Sequence, residues 1–234
     1  MLPLVNSVDE VLELRAVLTS LGQELGVSPL PELGIMVETP AAAMLADRFA
    51  TVADFFSIGS NDLTQYILAI DRVHPTLGRK LDGLHPAVLR AISAIVEGAS
   101  LHKRWVGLCG ALGSEPAAVP LLIGLGVTEL SVSIPMVPEI KAQVRSLDLA
   151  ACRKLAERAL ALDTRQRSAR WSKRPILSRG REISKNSKRQ SKILNDHEHV
   201  FVCQVSAARP RLDAADSSAA GCRASASFGA AGSS

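Results

Sequence analysis

Five residues hold the chemistry that this sequence offers: Glu38, Asn61, Asp62, Arg72 and Cys109. Glu38 closes the uncharged run 33–37, and Pro40 just behind it suits the first turn of a helix. Asp62 repeats the plan after the apolar run 55–58 and the turn Gly59-Ser60-Asn61. Strand, acid, helix, strand, acid, helix is the grammar of a parallel α/β sheet, where ligands sit beyond the carboxyl ends of the strands. Two carboxylates on neighbouring strand ends would face each other there. They suit a hard cation such as Mg²⁺, which takes one or two protein carboxylates together with substrate oxygens. The alternative is structural: each acid caps the helix after it, Asp62 in particular.

The other three residues carry similar pairs of readings. Asn61 has an amide that can orient an anionic substrate, or it is a turn residue. Arg72 lies in a loop on the same side and can form paired hydrogen bonds to carboxylate or phosphate, or it is merely solvated. Cys109 ends an apolar run within Gly107-Leu108-Cys109-Gly110-Ala111. A thiol there serves as acid or nucleophile, or it is an inert buried cysteine. Gly107 and Gly110 weigh against the inert reading, because they let substrate or backbone come close. Cys152 reads as helix packing. His74, His85 and His102 have no metal-ligand spacing.

The elements that must position these residues follow from periodicity and punctuation. A short strand is expected over 2–5, then a capping box (Ser7 with Glu10) and an amphipathic helix to Leu25, ended by Gly26. Further strands are expected at 33–37, 54–58, 105–108 and 129–132. Helices are expected at about 40–50, 62–70, 86–102, 116–125, 135–147 and 149–162, with a loop over 71–85. That makes about five βα units, whereas a closed (β/α)₈ barrel needs eight in about 250 residues. The pattern therefore fits an open doubly wound sheet, or the larger part of a barrel whose first strands are absent.

Charge divides the chain near Asp163. Residues 1–163 carry 13 Lys+Arg against 18 Asp+Glu, whereas residues 164–234 carry 14 against 5. The net +4 of the whole chain thus describes neither part. The first part reads as one α/β domain. The second is rich in Arg, Lys and Ser, then in Ala, Ser and Gly, and is expected to be a disordered basic tail. Only residues 197–205 interrupt it, as a strand-like island without an evident partner. The tail lacks aromatic interleaving and any recognisable module, so nucleic-acid binding is not expected. No apolar run approaches the roughly 20 residues of a membrane span. The four cysteines form no CxxC pair or paired framework, which points to a reducing, cytoplasmic setting.

Five blocks carry a family resemblance: 34–42 (GIMVETPAA), 55–72 (FFSIGSNDLTQYILAIDR), 85–89 (HPAVL), 105–110 (WVGLCG) and 119–132 (VPLLIGLGVTELSV). In order and spacing they closely resemble the C-terminal domain of enzyme I, the phosphoenolpyruvate (PEP)–protein phosphotransferase of the bacterial sugar phosphotransferase system. The resemblance covers roughly residues 2–162. Ala111 stands where Glu commonly follows, and leans toward the fructose-type multidomain relatives. The resemblance implies the last five units of a partial (β/α)₈ TIM barrel. It implies Glu38 and Asp62 as Mg²⁺ ligands, Asn61, Asp62 and Arg72 as PEP-binding residues, and Cys109 as the acid that protonates the enolate at C3. It also implies transfer from PEP to a histidine and on to the carrier HPr, by an enzyme that is homodimeric when complete.

The departures are specific. The phosphoacceptor histidine belongs to a separate N-terminal domain, and the family's other PEP arginines lie on earlier strands; neither has a match here. The chain is therefore expected to be an incomplete, inactive part of such an enzyme. Two alternatives remain: the PEP domain of pyruvate phosphate dikinase or PEP synthase, and a non-catalytic dimerisation remnant. The change of composition at Asp163 is of the kind a frameshift produces. Translating the gene in the other two frames beyond codon 163 should recover family-like sequence, and finding none in any frame would remove the frameshift.

Overall fold

The computed structural model describes residues 1–162 and, as backbone, 200–204. Helix α1, Val8–Leu25, ends on Gly26 at φ +65°, where the N–H groups of Gly26 and Val27 return to the carbonyls of Gln23 and Gly22. Its start differs from the expected capping box. Ser7 makes no side-chain cap bond, and Glu10 reaches past it to accept the Asn6 N–H at 3.0 Å. The expected first strand is reduced to one parallel bridge, Leu2 with Ile35. Leu4 at φ +50° turns the chain out of strand geometry directly after it.

Four parallel strands follow: β1 (Ile35–Val37), β2 (Phe55–Gly59), β3 (Trp105–Cys109) and β4 (Glu129–Ser133). Between β1 and β2 the expected single helix is two short ones, α2 (Pro40–Met44) and α3 (Ala46–Phe49), broken at Leu45. After β2 comes α4 (Ser60–Leu68), and before β3 comes α5 (Pro86–Leu101). Helix α6 (Val119–Leu125) leads into β4, later than Pro116 suggests. After β4 run α7 (Val137–Ser146) and α8 (Leu149–Leu160), the latter capped by Asp148. The island in the basic tail does have a partner: β5 (Val200–Gln204) pairs antiparallel with β4 over five residues. The rest of the expected disordered tail lies outside the described residues.

The strand order is β1-β2-β3-β4-β5, in sequence without reversal. A doubly wound sheet has a switch point where that order turns back, and none occurs among the described strands. Right-handed crossovers that always step the same way put their helices on one face. Burial agrees. Ile35, Val37, Phe56, Ile58, Leu108 and Leu130 are sealed into one core with Leu89, Ile92 and Ile95 of α5 and Leu121 and Leu122 of α6. The alternate positions Met36, Ser57, Cys109, Glu129 and Ser131 point the other way and stay partly open. On that second face the Phe55 and Trp105 rings stack with centroids 4.5 Å apart. They have room because Gly34 has no side chain, and a Cβ there would run into the Phe55 ring.

The tightest helix contact is α6 on α8. A Cβ at Gly124 would collide with the backbone carbonyl of Cys152, and backbone cannot swing aside as a side chain can. Gly124→Ala should therefore destabilise the fold by about 1–3 kcal/mol despite its better helix propensity, measured as a lowered urea midpoint with unchanged slope.

Candidate functional site

The two expected acids stand where their strands end. Glu38 directly follows β1, and Asp62 lies in the first turn of α4, directly after β2. Neither is a helix cap. Thr39 caps α2, its Oγ1 accepting the Ala42 N–H at 3.1 Å and donating to the Val5 carbonyl at 3.0 Å. Gly59 occupies the cap position of α4, which has no side-chain cap bond. Neither carboxylate therefore caps a helix through its side chain, while Asp62, in the first turn of α4, keeps a favourable place at that helix's amino-terminal dipole.

Glu38 is only 6% exposed, and its Oε2 accepts the Leu4 N–H at 2.9 Å. Burial pushes its pKa up, and the Asp62 charge adds to that; the Leu4 N–H and Arg72 offset part of it. Asp62 Oδ1 lies 3.1 Å from Arg72 Nη1. About half of the Arg72 side chain is exposed, so this pair orients more than it stabilises. Gln65 Oε1 accepts the Arg72 N–H at 3.1 Å and fixes the start of that loop. Asn61 is helical, not part of a turn. Its Oδ1 accepts the Ala111 N–H at 3.0 Å, tying α4 to the segment after β3 and setting its amide orientation. Ser60 Oγ donates to the Cys109 carbonyl at 2.7 Å. Both contacts need Gly110, at φ +95°, where a Cβ would meet Ser60 Oγ and Asn61 Oδ1.

Strand register brings Cys109 to the same end. Cys109 pairs with Gly59, and Glu38 follows Val37, the partner of Ile58. Gly59 is bare so that the Glu38 side chain can lie over it; a Cβ there would sit 2.5 Å from Glu38 Cγ. Ser57, two residues before Gly59, donates to Cys109 Sγ at 3.7 Å. Burial pushes the Cys109 thiol up, and Glu38 and Asp62 repel its thiolate, while Ser57 works the other way. The thiol therefore keeps its proton at neutral pH, which suits an acid better than a nucleophile. Cys152 is fully buried, as its packing role requires.

A cavity of about 330 Å³ opens beside this cluster, lined by Ser60, Asn61, Thr64, Arg72, Ala111 and Glu115 among others. Asn61 and Arg72 reach it; Glu38, Asp62 and Cys109 do not line it. Among the described residues no three His, Cys, Asp or Glu side chains group as a metal cage. A pair of carboxylates, one buried and one held by an arginine, fits a cation that completes its shell with water and substrate oxygens. Ser57 and Glu129 are polar residues of the open face that the motifs passed over. The signal was available: each is the polar member of a polar/apolar alternation in its strand.

The family model for the PEP-utilising enzyme, PEP-binding domain, matches residues 1–149. The chain belongs to this family. A multiphosphoryl transfer protein of Xanthomonas campestris pv. campestris is 51% identical over 164 residues, covering 70% of this chain and 20% of that protein. The protein of the same description from Rhodobacter capsulatus is 49% identical with the same coverage. A phosphoenolpyruvate-protein phosphotransferase of Haloferax volcanii is 49% identical over 169 residues, covering 70% of this chain and 30% of that one. The chain thus spans 20–30% of the length of these relatives. Among solved structures, a citrate lyase from Burkholderia xenovorans aligns at TM-score 0.48 and 18% identity, over 72% of this chain and 59% of that one. No helix among the described residues of this PEP-binding domain is long and apolar enough to cross a membrane.

Glu129 adds a pH signature to the open face. Burial alone pushes its carboxyl up, so the folded domain holds that proton to higher pH than the unfolded chain does. The stability this contributes is complete below the unfolded pKa and is lost as pH rises through the folded one. Glu129→Gln should therefore raise the urea midpoint at neutral pH and leave it unchanged in acid below the ordinary carboxyl range. Equal gains at both pH values would contradict the assignment.

Proposed function

We propose that this chain is the PEP-binding part of a phosphoenolpyruvate–protein phosphotransferase, the enzyme that moves the phosphoryl group of PEP to a histidine and then to HPr for sugar uptake. The observation that carries the reading is the meeting of Glu38 and Asp62 on adjacent parallel strand ends, with Arg72 on Asp62 and the protonated Cys109 one strand away. The multiphosphoryl transfer and phosphotransferase descriptions of its relatives support it. The sheet is read as the later part of a (β/α)₈ barrel, because its strands run in order and its second face is left partly open. Residues 1–163 are read as that domain and 164–234 as a basic stretch of different composition, of which Val200–Gln204 joins the sheet beside β4.

Glu38 and Asp62 would hold Mg²⁺, whose charge, when bound, offsets that of the phosphoryl and enolate oxygens. Arg72 binds an acidic group of PEP, and the Asn61 amide, locked on Ala111, donates to the same substrate. When the phosphoryl group leaves, the enolate of pyruvate remains. The Cys109 thiol gives its proton to C3, forming the methyl group of pyruvate and leaving a thiolate to be reprotonated. The phosphoacceptor histidine, HPr docking and the homodimer belong to the longer protein, placed in the cytoplasm.

Mg²⁺ should raise the thermal midpoint of the chain, and Glu38→Gln or Asp62→Asn should abolish the rise. PEP should add a further rise only when Mg²⁺ is present, and Arg72→Ala should remove that increment. An Mg²⁺ rise that survives Glu38→Gln would remove the metal pair. The chain alone should form no pyruvate from PEP with HPr present, and pyruvate at a normal enzymatic rate would overturn its incompleteness.

A further inference from the structure

We propose that Ser57 is a positioning residue for the Cys109 thiol: its hydroxyl donates to Sγ from below and leaves the thiol hydrogen directed at the carboxyl ends of the strands. This rests on the reading of Cys109 as the acid. Ser57 stands between Met36 on β1 and Gly107 on β3, its partners in register. Gly107 offers no side-chain partner, and the Met36 thioether is only a weak acceptor. Its chain neighbours Phe56 and Ile58 face the opposite side and are completely buried. The hydroxyl of Ser57 therefore turns to Cys109, two residues further along β3, at 3.7 Å.

Direction follows from donor strength. A hydroxyl is a strong donor and a thiol a weak one, so the contact is made as O–H to sulfur. With one sulfur lone pair occupied from the amino-terminal side of the sheet, the S–H bond is free to point toward the end where Glu38, Asp62 and Arg72 converge. The same hydrogen bond serves after the proton has moved. The S–H bond breaks, the new C–H bond forms at C3 of the enolate, and the electron pair left on sulfur is held by the Ser57 hydroxyl until solvent returns a proton. Gly107 beside it carries no side chain; a Cβ there would lie 3.4 Å from Glu129 Oε1 and from the Trp105 ring.

The test is the rate at which iodoacetamide alkylates Cys109 in the full chain, followed by peptide mass spectrometry across a pH series, for wild type, Ser57→Ala and Ser57→Thr. Loss of a hydrogen bond to a thiolate lowers its population about tenfold, and roughly half of that on a logarithmic scale returns as greater nucleophilicity. Ser57→Ala should thus slow alkylation about threefold near neutral pH and move the pH midpoint of the rate upward. Ser57→Thr, which keeps the hydroxyl, should restore both. Cys152, sealed in the core, serves as an internal control and should stay unmodified in all three if they are folded. A wild-type rate and midpoint in Ser57→Ala, or no restoration by Ser57→Thr, would overturn the proposal. Repeating the wild-type reaction with Mg²⁺ and PEP checks the underlying reading separately. Protection of Cys109 is the expected result; its absence would count against the acid role whatever the serine variants do.

Discussion

The arrangement depends on one buried carboxyl. Glu38 is taken out of water at the end of β1, next to a second acid, and the fold meets that cost with few groups: one backbone N–H from Leu4, and the Arg72 charge reaching it past Asp62. Burying a charge without full pairing is unfavourable, and proteins keep such groups where chemistry needs them. Much of the local design follows from it. Leu4 leaves strand geometry and presents its N–H to the carboxylate. Gly59 gives up its side chain to make room. Thr39 takes over the helix cap, so Glu38 is not spent there.

The open face is built from rows of pairs that alternate large and small. Gly34, Phe55 and Trp105 form one row; Met36, Ser57, Gly107 and Glu129 the next; Glu38, Gly59, Cys109 and Ser131 the row at the carboxyl ends. In each row a glycine or serine stands beside a bulky or ionisable neighbour, so the larger side chain lies across the smaller residue instead of colliding with a peer. The same rule that packs the Phe55–Trp105 stack on a bare Gly34 brings Glu38 over Gly59, one strand from the thiol.

Much of this was legible in the sequence. The strands at 33–37, 54–58, 105–108 and 129–132 and the acids ending the first two announced themselves through short apolar runs that stop abruptly. Local rules failed where a longer-range contact decided the outcome. Ser7 and Glu10 have capping-box spacing, yet Glu10 bonds the Asn6 N–H instead. The apolar 2–5 run became a bridge and a turn because the Leu4 N–H is needed by Glu38, 34 residues away. Asn61 and Asp62 looked like turn and cap residues because the glycine that takes the cap position has no side chain to advertise it. The Ser57–Cys109 contact was hidden because it depends on register between strands, which no single segment encodes.

The antiparallel strand β5 changes what the sheet can become. Its five pairs with β4 occupy the backbone donors and acceptors along the outer edge of the last parallel strand. In a closed barrel that edge is the seam, where the final strand meets the first. On the barrel reading proposed above, residues 200–204 sit in the seat that an opening strand would take. Backbone groups along that edge pair with one strand at a time, so on that reading β5 and such a strand exclude each other, and residues 200–204 compete with ring closure.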